Sequence, residues 1–173
     1  MRRYKIHGYS LLELLITLAL LALLMGIATP ALSVWHEQQK LQSLQSELFS
    51  MTYKARYLAM TSQHRVTLCP LTEEGKCQQS WSGSISSFID TNGNRELDAG
   101  ENVFSTIYVP ESIRLNWRGM LPNNSIHFSN QGVTFVSNGT MSICPSSPTA
   151  RSGTMVINRQ GRVKTSKEGA RCP

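Results

Sequence analysis

The 173-residue chain has none of the short motifs that mark common enzyme sites. It contains no Gly-x-Ser-x-Gly nucleophile elbow, no Gly-rich phosphate loop and no Cys-x-x-Cys pair of the kind found in zinc sites. Its four histidines are scattered along the chain, at His7, His36, His64 and His127. We therefore expect the protein to be no enzyme and to hold no cofactor.

Charge is nearly absent from one long segment near the start. Residues Leu11–Val34 are mostly apolar and hold a single charged residue, Glu13. The segment is long enough to span a bilayer, which takes about 20 apolar residues. Arg2, Arg3 and Lys5 precede it and form a basic flank, which the positive-inside rule places in the cytoplasm. The rest of the chain is then expected on the other side of the membrane.

This segment is too long for an ordinary secretory signal, whose apolar core has roughly 7–15 residues. A simple membrane anchor is the alternative. Against a simple anchor stands Glu13, because a carboxylate costs about 3 kcal/mol in hydrocarbon and usually has a specific partner there.

The sequence from Gly8 to Glu13, Gly-Tyr-Ser-Leu-Leu-Glu, resembles the prepilin-peptidase site of type IV pilins and type II secretion pseudopilins. The resemblance implies that the leader, residues 1–8, is removed by cleavage after Gly8, and that the new amino terminus on Tyr9 is methylated. It also implies that Glu13 pairs with the amine of a neighbouring subunit during assembly. The implied partners are the prepilin peptidase, other pilin subunits and the inner membrane.

Beyond the apolar segment, a stripe of apolar residues recurs at alternating spacings of three and four. That pattern indicates one buried face of an amphipathic helix. The stripe consists of Leu41, Leu44, Leu48, Met51, Ala55 and Leu58. We predict one long helix over residues 9–62, with 9–34 in the membrane. A coiled coil is the alternative for its second half, but the stripe lacks regular flanking charge pairs, which favours docking on a sheet.

From residue 65 onward, Gly, Ser, Asn, Thr and Pro separate short runs of β character, which predicts antiparallel sheets. The runs are Arg65–Cys69, Ser84–Asp90, Asn102–Val109, Ser112–Trp117, Ser125–Ser129, Gly139–Cys144 and Gly153–Thr165.

The layout of these runs resembles the FimT, FimU and GspH group of minor pilins and pseudopilins, and FimT most of all. The resemblance rests on Val66–Pro70, Cys77, Trp81, Phe88–Asn94, Asp98–Glu101 and Gly161–Lys164. It implies an α+β fold in which the long N-terminal helix packs on a small antiparallel two-sheet β domain, residues 63–173. It also implies a precursor in the bacterial inner membrane with a periplasmic globular domain, and later a pilus or pseudopilus at the cell surface.

Four cysteines, all after residue 65, are an even number in a region expected outside the cytoplasm, where disulfides persist. Three pairings are possible. We favour Cys69 with Cys77, which closes a short loop, and Cys144 with Cys172, which ties the C-terminal tail to the domain. A metal site is the alternative.

One polar stretch has the spacing of a calcium-binding loop, with oxygen-bearing side chains at positions one, three, five, seven, nine and twelve. These are Asp90, Asn92, Asn94, Glu96, Asp98 and Glu101. Arg95 occupies the sixth position, where the EF-hand loop requires glycine for its sharp turn, and no helix is predicted on either side. We therefore expect a polar loop and no metal site. Calcium binding is the alternative, and its candidate ligands are Asp90, Asn92, Asn94, Asp98 and Glu101.

The C-terminal segment is the most basic part of the chain, with six basic residues against one acidic residue, Glu168. The basic residues are Arg151, Arg159, Arg162, Lys164, Lys167 and Arg171. The turn residues Asn158–Gly161 predict a hairpin, whose alternation puts Arg162 and Lys164 on one face. Two basic groups ~6.6 Å apart fit a phosphate backbone without reading the base sequence. A solvated hairpin is the plainer interpretation.

Gly161-Arg162-Val163-Lys164 is similar to the Gly-Arg-x-Arg motif of FimT-type minor pilins of naturally transformable bacteria, which is implicated in DNA binding. Lys164 replaces the second arginine, which keeps the charge and loses the bidentate contact with phosphate. The resemblance implies a minor pilin of a type IV pilus that binds extracellular DNA for uptake in natural transformation. The alternative is a structural minor pilin or type II secretion pseudopilin that primes fibre assembly without binding DNA.

Overall fold

The computed structural model describes residues 10–120, 124–147, 150–167, 170 and 172. One helix, α1, runs over Leu11–Ser62. Its described side chains before residue 37 are all exposed, and the chain up to His36 forms a compact unit by itself. By length and composition alone, this helix is apolar enough to cross a membrane.

The second compact unit is Glu37–Pro173, and it contains the second half of α1. The predicted apolar stripe of that half is buried from Leu41 to Ala55, while Leu58 is partly buried and Ala59 joins the core. Burial of a leucine side chain stabilises a fold by about 2 kcal/mol, so three leucines hold the helix firmly. All described residues of the hydrophobic core lie in this unit, which therefore has the core it needs to fold on its own.

The described residues contain eight strands, which form two antiparallel sheets of four strands each. The strands are β1 (Arg65–Pro70), β2 (Ser84–Asp90), β3 (Val103–Tyr108), β4 (Ile113–Gly119), β5 (Ile126–Phe128), β6 (Gly139–Pro145), β7 (Gly153–Ile157) and β8 (Val163–Ser166). The first sheet has the order β3-β2-β1-β5 and the second has the order β4-β6-β7-β8. The predicted fold class, a long helix on a two-sheet β domain, is confirmed. The last predicted run contains two strands, β7 and β8.

Both sheets contribute to one hydrophobic cluster with α1. Phe88 and Phe128 of the first sheet are fully buried, as are Met141 and Met155 of the second. Alternate residues of each strand point to opposite faces, so the residues between these buried ones occupy the other face of each sheet.

Two disulfides brace the second unit. Cys69 of β1 is bonded to Cys77, which closes a loop with a sequence separation of 8. Cys144 of β6 is bonded to Cys172, with a separation of 28. This is the pairing that the spacing of the cysteines favours, and it places Cys172 against the second sheet.

Candidate functional site

Strands β7 and β8 form the C-terminal hairpin that the turn residues Asn158–Gly161 predict. Ile157 pairs with Val163 and Val156 pairs with Lys164. Two hydrogen bonds between Asn158 and Arg162 close the connecting turn. The N–H of Asn158 donates to the carbonyl of Arg162 at 3.1 Å, and Oδ1 of Asn158 accepts the N–H of Arg162 at 2.8 Å. The asparagine side chain therefore fixes the backbone of the first basic residue after the turn.

Gly161 allows this turn to dock on the rest of the domain. Its φ is +74°, and a Cβ at this position would lie only 2.2 Å from the carbonyl oxygen of Gly132. Any side chain would therefore push the turn away from the loop that contains Gly132. The glycine that precedes the two basic residues has a packing role.

Helix α1 holds the open end of the same hairpin through two glutamines. The buried Gln45 Nε2 donates to the carbonyls of Thr154 and Ser166, each at 3.0 Å. Gln38 Oε1 accepts the N–H of Arg151 at 2.9 Å. The hairpin is thus fixed at its turn and at its open end, which keeps its exposed side chains in constant register.

Arg162 and Lys164 are both exposed, whereas Val163 between them packs partly against the core. Lys164 pairs directly with Val156, which is 42% exposed, while the neighbouring Ile157 is buried. The two basic residues therefore lie on the outer face of the second sheet, away from α1.

The structure does not bring all of the predicted basic residues together. Arg159 lies in the turn, while Arg151 and Lys167 lie at the opposite, open end of the hairpin, before β7 and after β8. All three are exposed. Arg171 lies outside the described residues. The predicted set thus divides into a group at the turn and a group at the open end of the hairpin, where Lys167 lies five residues from Arg162, about 16 Å at ~3.3 Å per residue.

Two arginines on β4, which no pattern in the sequence indicated, share the face of Lys164. Arg118 pairs with Thr140 of β6, Thr140 pairs with Val156 of β7, and Val156 pairs with Lys164 of β8. Directly paired residues point to the same face, so this row runs across all four strands with a basic residue at each end. Three strand spacings of ~4.8 Å place the two ends ~14 Å apart.

Arg114 lies four residues before Arg118 on the same strand and therefore on the same face. Both arginines are exposed, and within the described part of the chain neither guanidinium has a hydrogen bond or an ion pair. Arg114 pairs with Cys144, so the disulfide brings Cys172 next to it. None of the four strands contains Asp or Glu. We call Arg114, Arg118, Arg162 and Lys164 the basic face.

Arg56 of α1 adds positive charge behind the turn. Its Nε is buried, has no hydrogen-bond partner among the described residues, and lies 3.3 Å from the position a Cβ of Gly161 would take. Nothing in the helix sequence distinguishes Arg56 from the other polar residues. Its nearness to the hairpin turn is visible only in the folded structure.

The cleavage residues Gly8 and Tyr9 lie outside the described residues. Glu13 is in the first turn of α1 and is exposed. Its N–H donates to Oγ of Ser10 at 3.2 Å, which is the usual way in which a serine caps the start of a helix. The capping serine fixes where the helix begins.

Asp90 is the last residue of β2, and the other candidate calcium ligands lie in the connection between β2 and β3 of the first sheet. Among the described residues no group of three or more His, Cys, Asp or Glu is placed to hold a metal ion. On β5 of the same sheet, His127 is buried against Ser137 Oγ. Burial lowers the pKa of His127 to about 4, with a further contribution from the charges of Arg95 and Arg65.

Comparison with known proteins shows which family has this architecture. Residues 45–161 match the family model described as type II transport protein GspH, and residues 3–29 match the prokaryotic N-terminal methylation motif. No curated protein sequence is significantly similar to the chain.

Solved structures share the fold. The type IV minor pilin FimU of Pseudomonas aeruginosa is 17% identical, with a TM-score of 0.59 over 76% of this chain and 92% of that one. The minor pseudopilin EpsH from the type 2 secretion system of Vibrio cholerae is 11% identical, with a TM-score of 0.53 over 73% of this chain and 95% of that one. Because the GspH model covers more than half of the chain, the protein belongs to the GspH family and is a minor pilin or pseudopilin of a type IV pilus or a type II secretion system.

Proposed function

We propose that this minor pilin binds extracellular DNA for uptake in natural transformation, through the basic face and the C-terminal hairpin. The observation that carries the proposal is the row from Arg118 to Lys164, which joins basic residues of the two outermost strands on a surface whose strands contain no carboxylate.

The geometry supports contact with phosphates rather than with bases. The basic groups are held on rigid strands, and the described surface between them consists of short side chains such as Thr140 and Val156. The major groove of B-DNA is about 12 Å wide, so groups ~14 Å apart can reach phosphates of both strands at once. Contacts of this kind give binding that is independent of sequence and that weakens as salt is added.

Processing and location form part of the same proposal. The leader is cleaved after Gly8, the amino group of Tyr9 is methylated, and Glu13 pairs with the amine of a neighbouring subunit. The precursor stands in the inner membrane through the first half of α1 with its globular unit in the periplasm, and the mature subunit joins a pilus whose basic face is open to DNA. The methylation motif over residues 3–29 supports this arrangement.

A second candidate function is structural, with the subunit priming or capping a fibre without binding DNA. One observation favours it. Phe49, Tyr53 and Tyr57 follow one another at spacings of four on the exposed side of α1, where the rings of Phe49 and Tyr53 stack at 6.4 Å between centroids. Tyr53 and Tyr57 are each more than 60% exposed, and aromatic residues in such positions are typical of protein contacts.

The test of DNA binding uses the soluble unit from residue 37 and a fluorescent duplex of mixed sequence. The double variant Arg162→Gln/Lys164→Gln is expected to bind about tenfold more weakly at low salt, because it removes two phosphate contacts. The slope of log affinity against log salt should fall by about 1.8, since each phosphate contact contributes ~0.9. Fluorescence anisotropy over a salt series measures both quantities.

The matched control is Lys40→Gln/Lys54→Gln, which removes the same charge from exposed positions of α1. Its affinity and slope should stay near those of the wild type. If both double variants weaken binding equally, the effect is one of net charge and the hairpin is not a site. If neither double variant changes the affinity, the hairpin is not the site. If the wild type does not bind, DNA binding is excluded and the structural function remains.

A further inference from the structure

The hydrogen bonds within the hairpin turn close it but do not attach it to the rest of the domain. Besides the two bonds between Asn158 and Arg162, the N–H of Gly161 donates to the carbonyl of Asn158 at 2.9 Å. All of these bonds join residues of the turn to one another. The tip of a hairpin is free to move unless other parts of the fold hold it. The exposed Arg159 and Arg162 therefore keep fixed positions only if the turn has a second support.

That support comes from loop 129–138, which connects β5 of the first sheet to β6 of the second. Thr134 in this loop is fully buried. Its N–H donates to the carbonyl of Arg159 at 3.1 Å, and its hydroxyl donates to the carbonyl of Asn158 at 2.9 Å. Because hydrogen bonds weaken steeply when they are bent, two bonds to consecutive carbonyl groups restrict both the position and the direction of the turn.

Loop 129–138 is itself held from the first sheet. The carbonyl of Thr134 accepts the N–H of Ser137 at 2.7 Å, and the hydroxyl of Ser137 contacts Nδ1 of the buried His127 on β5. Phe135, next to Thr134, has a φ of +42°. A residue with a side chain keeps such a conformation only where the surrounding contacts hold it. The loop is therefore a fixed support for the turn.

The loop and the turn also pack against each other at two glycines. The carbonyl oxygen of Gly132 leaves no room for a side chain at Gly161, as described above, and Gly132 is buried. The Nε atom of Arg56 lies 3.2 Å from the position that a Cβ of Gly132 would take. The hydrogen bonds of Thr134 therefore act on a turn that is already in close contact with its support.

We propose that Thr134 is a positioning residue for DNA binding, which holds the hairpin turn so that Arg159 and Arg162 meet phosphate groups in a fixed arrangement. This inference rests on the proposed function and adds to it an uncharged residue that is itself buried out of reach of DNA. Groups that are already ordered lose less entropy when they bind, so a held turn binds more tightly than a loose turn of the same charge. The number of phosphate contacts sets the salt slope, whereas ordering changes the affinity at every salt concentration.

The variant Thr134→Val keeps nearly the shape of threonine and lacks the hydroxyl. In the anisotropy assay with the soluble unit from residue 37, it should bind the duplex about fivefold more weakly, because the loosened turn must be ordered on binding. Its salt slope should equal that of the wild type, since every basic group is still present. Thr134→Ser keeps the hydroxyl and should bind within about twofold of the wild type.

The matched control is Thr52→Val, which removes the hydroxyl of another buried threonine. The Thr52 hydroxyl donates to the Leu48 carbonyl of its own helix at 2.6 Å, so its loss breaks no hydrogen bond of the turn. This variant should bind DNA as the wild type does.

A double-mutant cycle tests whether Thr134 acts through the two arginines. In the background Arg159→Gln/Arg162→Gln, the further change Thr134→Val should cause no additional loss of affinity, because no basic group is left at the turn to be positioned. A general loosening of the domain would instead weaken binding equally in both backgrounds.

The outcomes separate this inference from the proposed function. If the wild type binds DNA and Thr134→Val binds equally well, the inference is overturned and the proposed function stands. Equal losses in Thr52→Val, or in the background without the arginines, would overturn the inference as well. A wild type that binds no DNA would overturn both.

Backbone amide relaxation by NMR tests the support of the turn in the wild type, and it decides the matter if Thr134→Val does not fold. The amides of Arg159 and Arg162 should be as ordered as those of β7. Greater mobility of these two amides on the nanosecond timescale would show that the turn is not held, and would overturn the inference.

Discussion

The two sheets are alike in the faces that they bury against α1 and differ in their outer faces and connections. Each lays one face on α1, where Phe88 and Phe128 of the first sheet and Met141 and Met155 of the second are equally buried. Away from the helix they diverge, because the first sheet carries the carboxylate-rich loop Asp90–Glu101 and the second carries the basic face. Packing against a common helix constrains the buried faces alike, which leaves the opposite faces and the connections free to take up different chemistry.

Each sheet has its own disulfide, and the two should contribute unequally to stability. Replacing Cys144 and Cys172 by serine should lower the free energy of unfolding by about 3.5 kcal/mol, against about 2.5 kcal/mol for Cys69 and Cys77. The reason is loop length, since the separations are 28 and 8 residues and a longer closed loop restricts the unfolded chain more. Urea unfolding of the soluble unit measures both. If replacing Cys69 and Cys77 lowers the free energy of unfolding more than replacing Cys144 and Cys172 does, the short disulfide loop stabilises the native state directly.

The first sheet should also be the one that acid weakens, through His127. Burial lowers the pKa of this side chain to about 4, below the ordinary value of 6.5. The unfolded chain therefore takes up a proton near pH 6.5 and the folded protein only near pH 4, so stability is full above pH 6.5 and falls between the two values. The loss is on the order of 3 kcal/mol, at 1.36 kcal/mol per pKa unit.

Urea midpoints from pH 4 to pH 7 check this expectation. The variant His127→Gln cannot take up the proton, so its stability should change less over that range than that of the wild type. Parallel pH profiles for the two proteins would mean that other groups govern the acid response.

The elements that sequence could predict are those governed by neighbours along the chain. The stripe from Leu41 to Ala55 follows the helical period, and β2 was predicted with the bounds it has, Ser84–Asp90. The hairpin of β7 and β8 and the common face of Arg162 and Lys164 also follow from turn residues and alternation.

What sequence could not predict depends on strand order. β5 joins the first sheet, although β4 before it and β6 after it pair with each other in the second. Nothing in the local sequence pattern reveals that β4 pairs with β6 rather than with β5. Without that pairing, Arg118 cannot be placed in a row with Lys164. The positive φ of Arg95 is likewise set by its surroundings, since arginine has no preference for that region.

The smallest expected effect concerns how a duplex lies on the second sheet. If DNA crosses the strands, Arg114→Gln/Arg118→Gln should weaken binding about three- to tenfold and lower the salt slope, because β4 then contacts phosphates of its own. If DNA follows the hairpin alone, only Arg162→Gln/Lys164→Gln has an effect. The anisotropy assay, with Lys40→Gln/Lys54→Gln as the charge control, distinguishes these two arrangements of the DNA.

A wild-type salt slope for Arg114→Gln/Arg118→Gln would confine the site to the hairpin and leave DNA binding intact. Additive losses of affinity in the variant that combines all four substitutions would show that both edges of the sheet hold the same duplex.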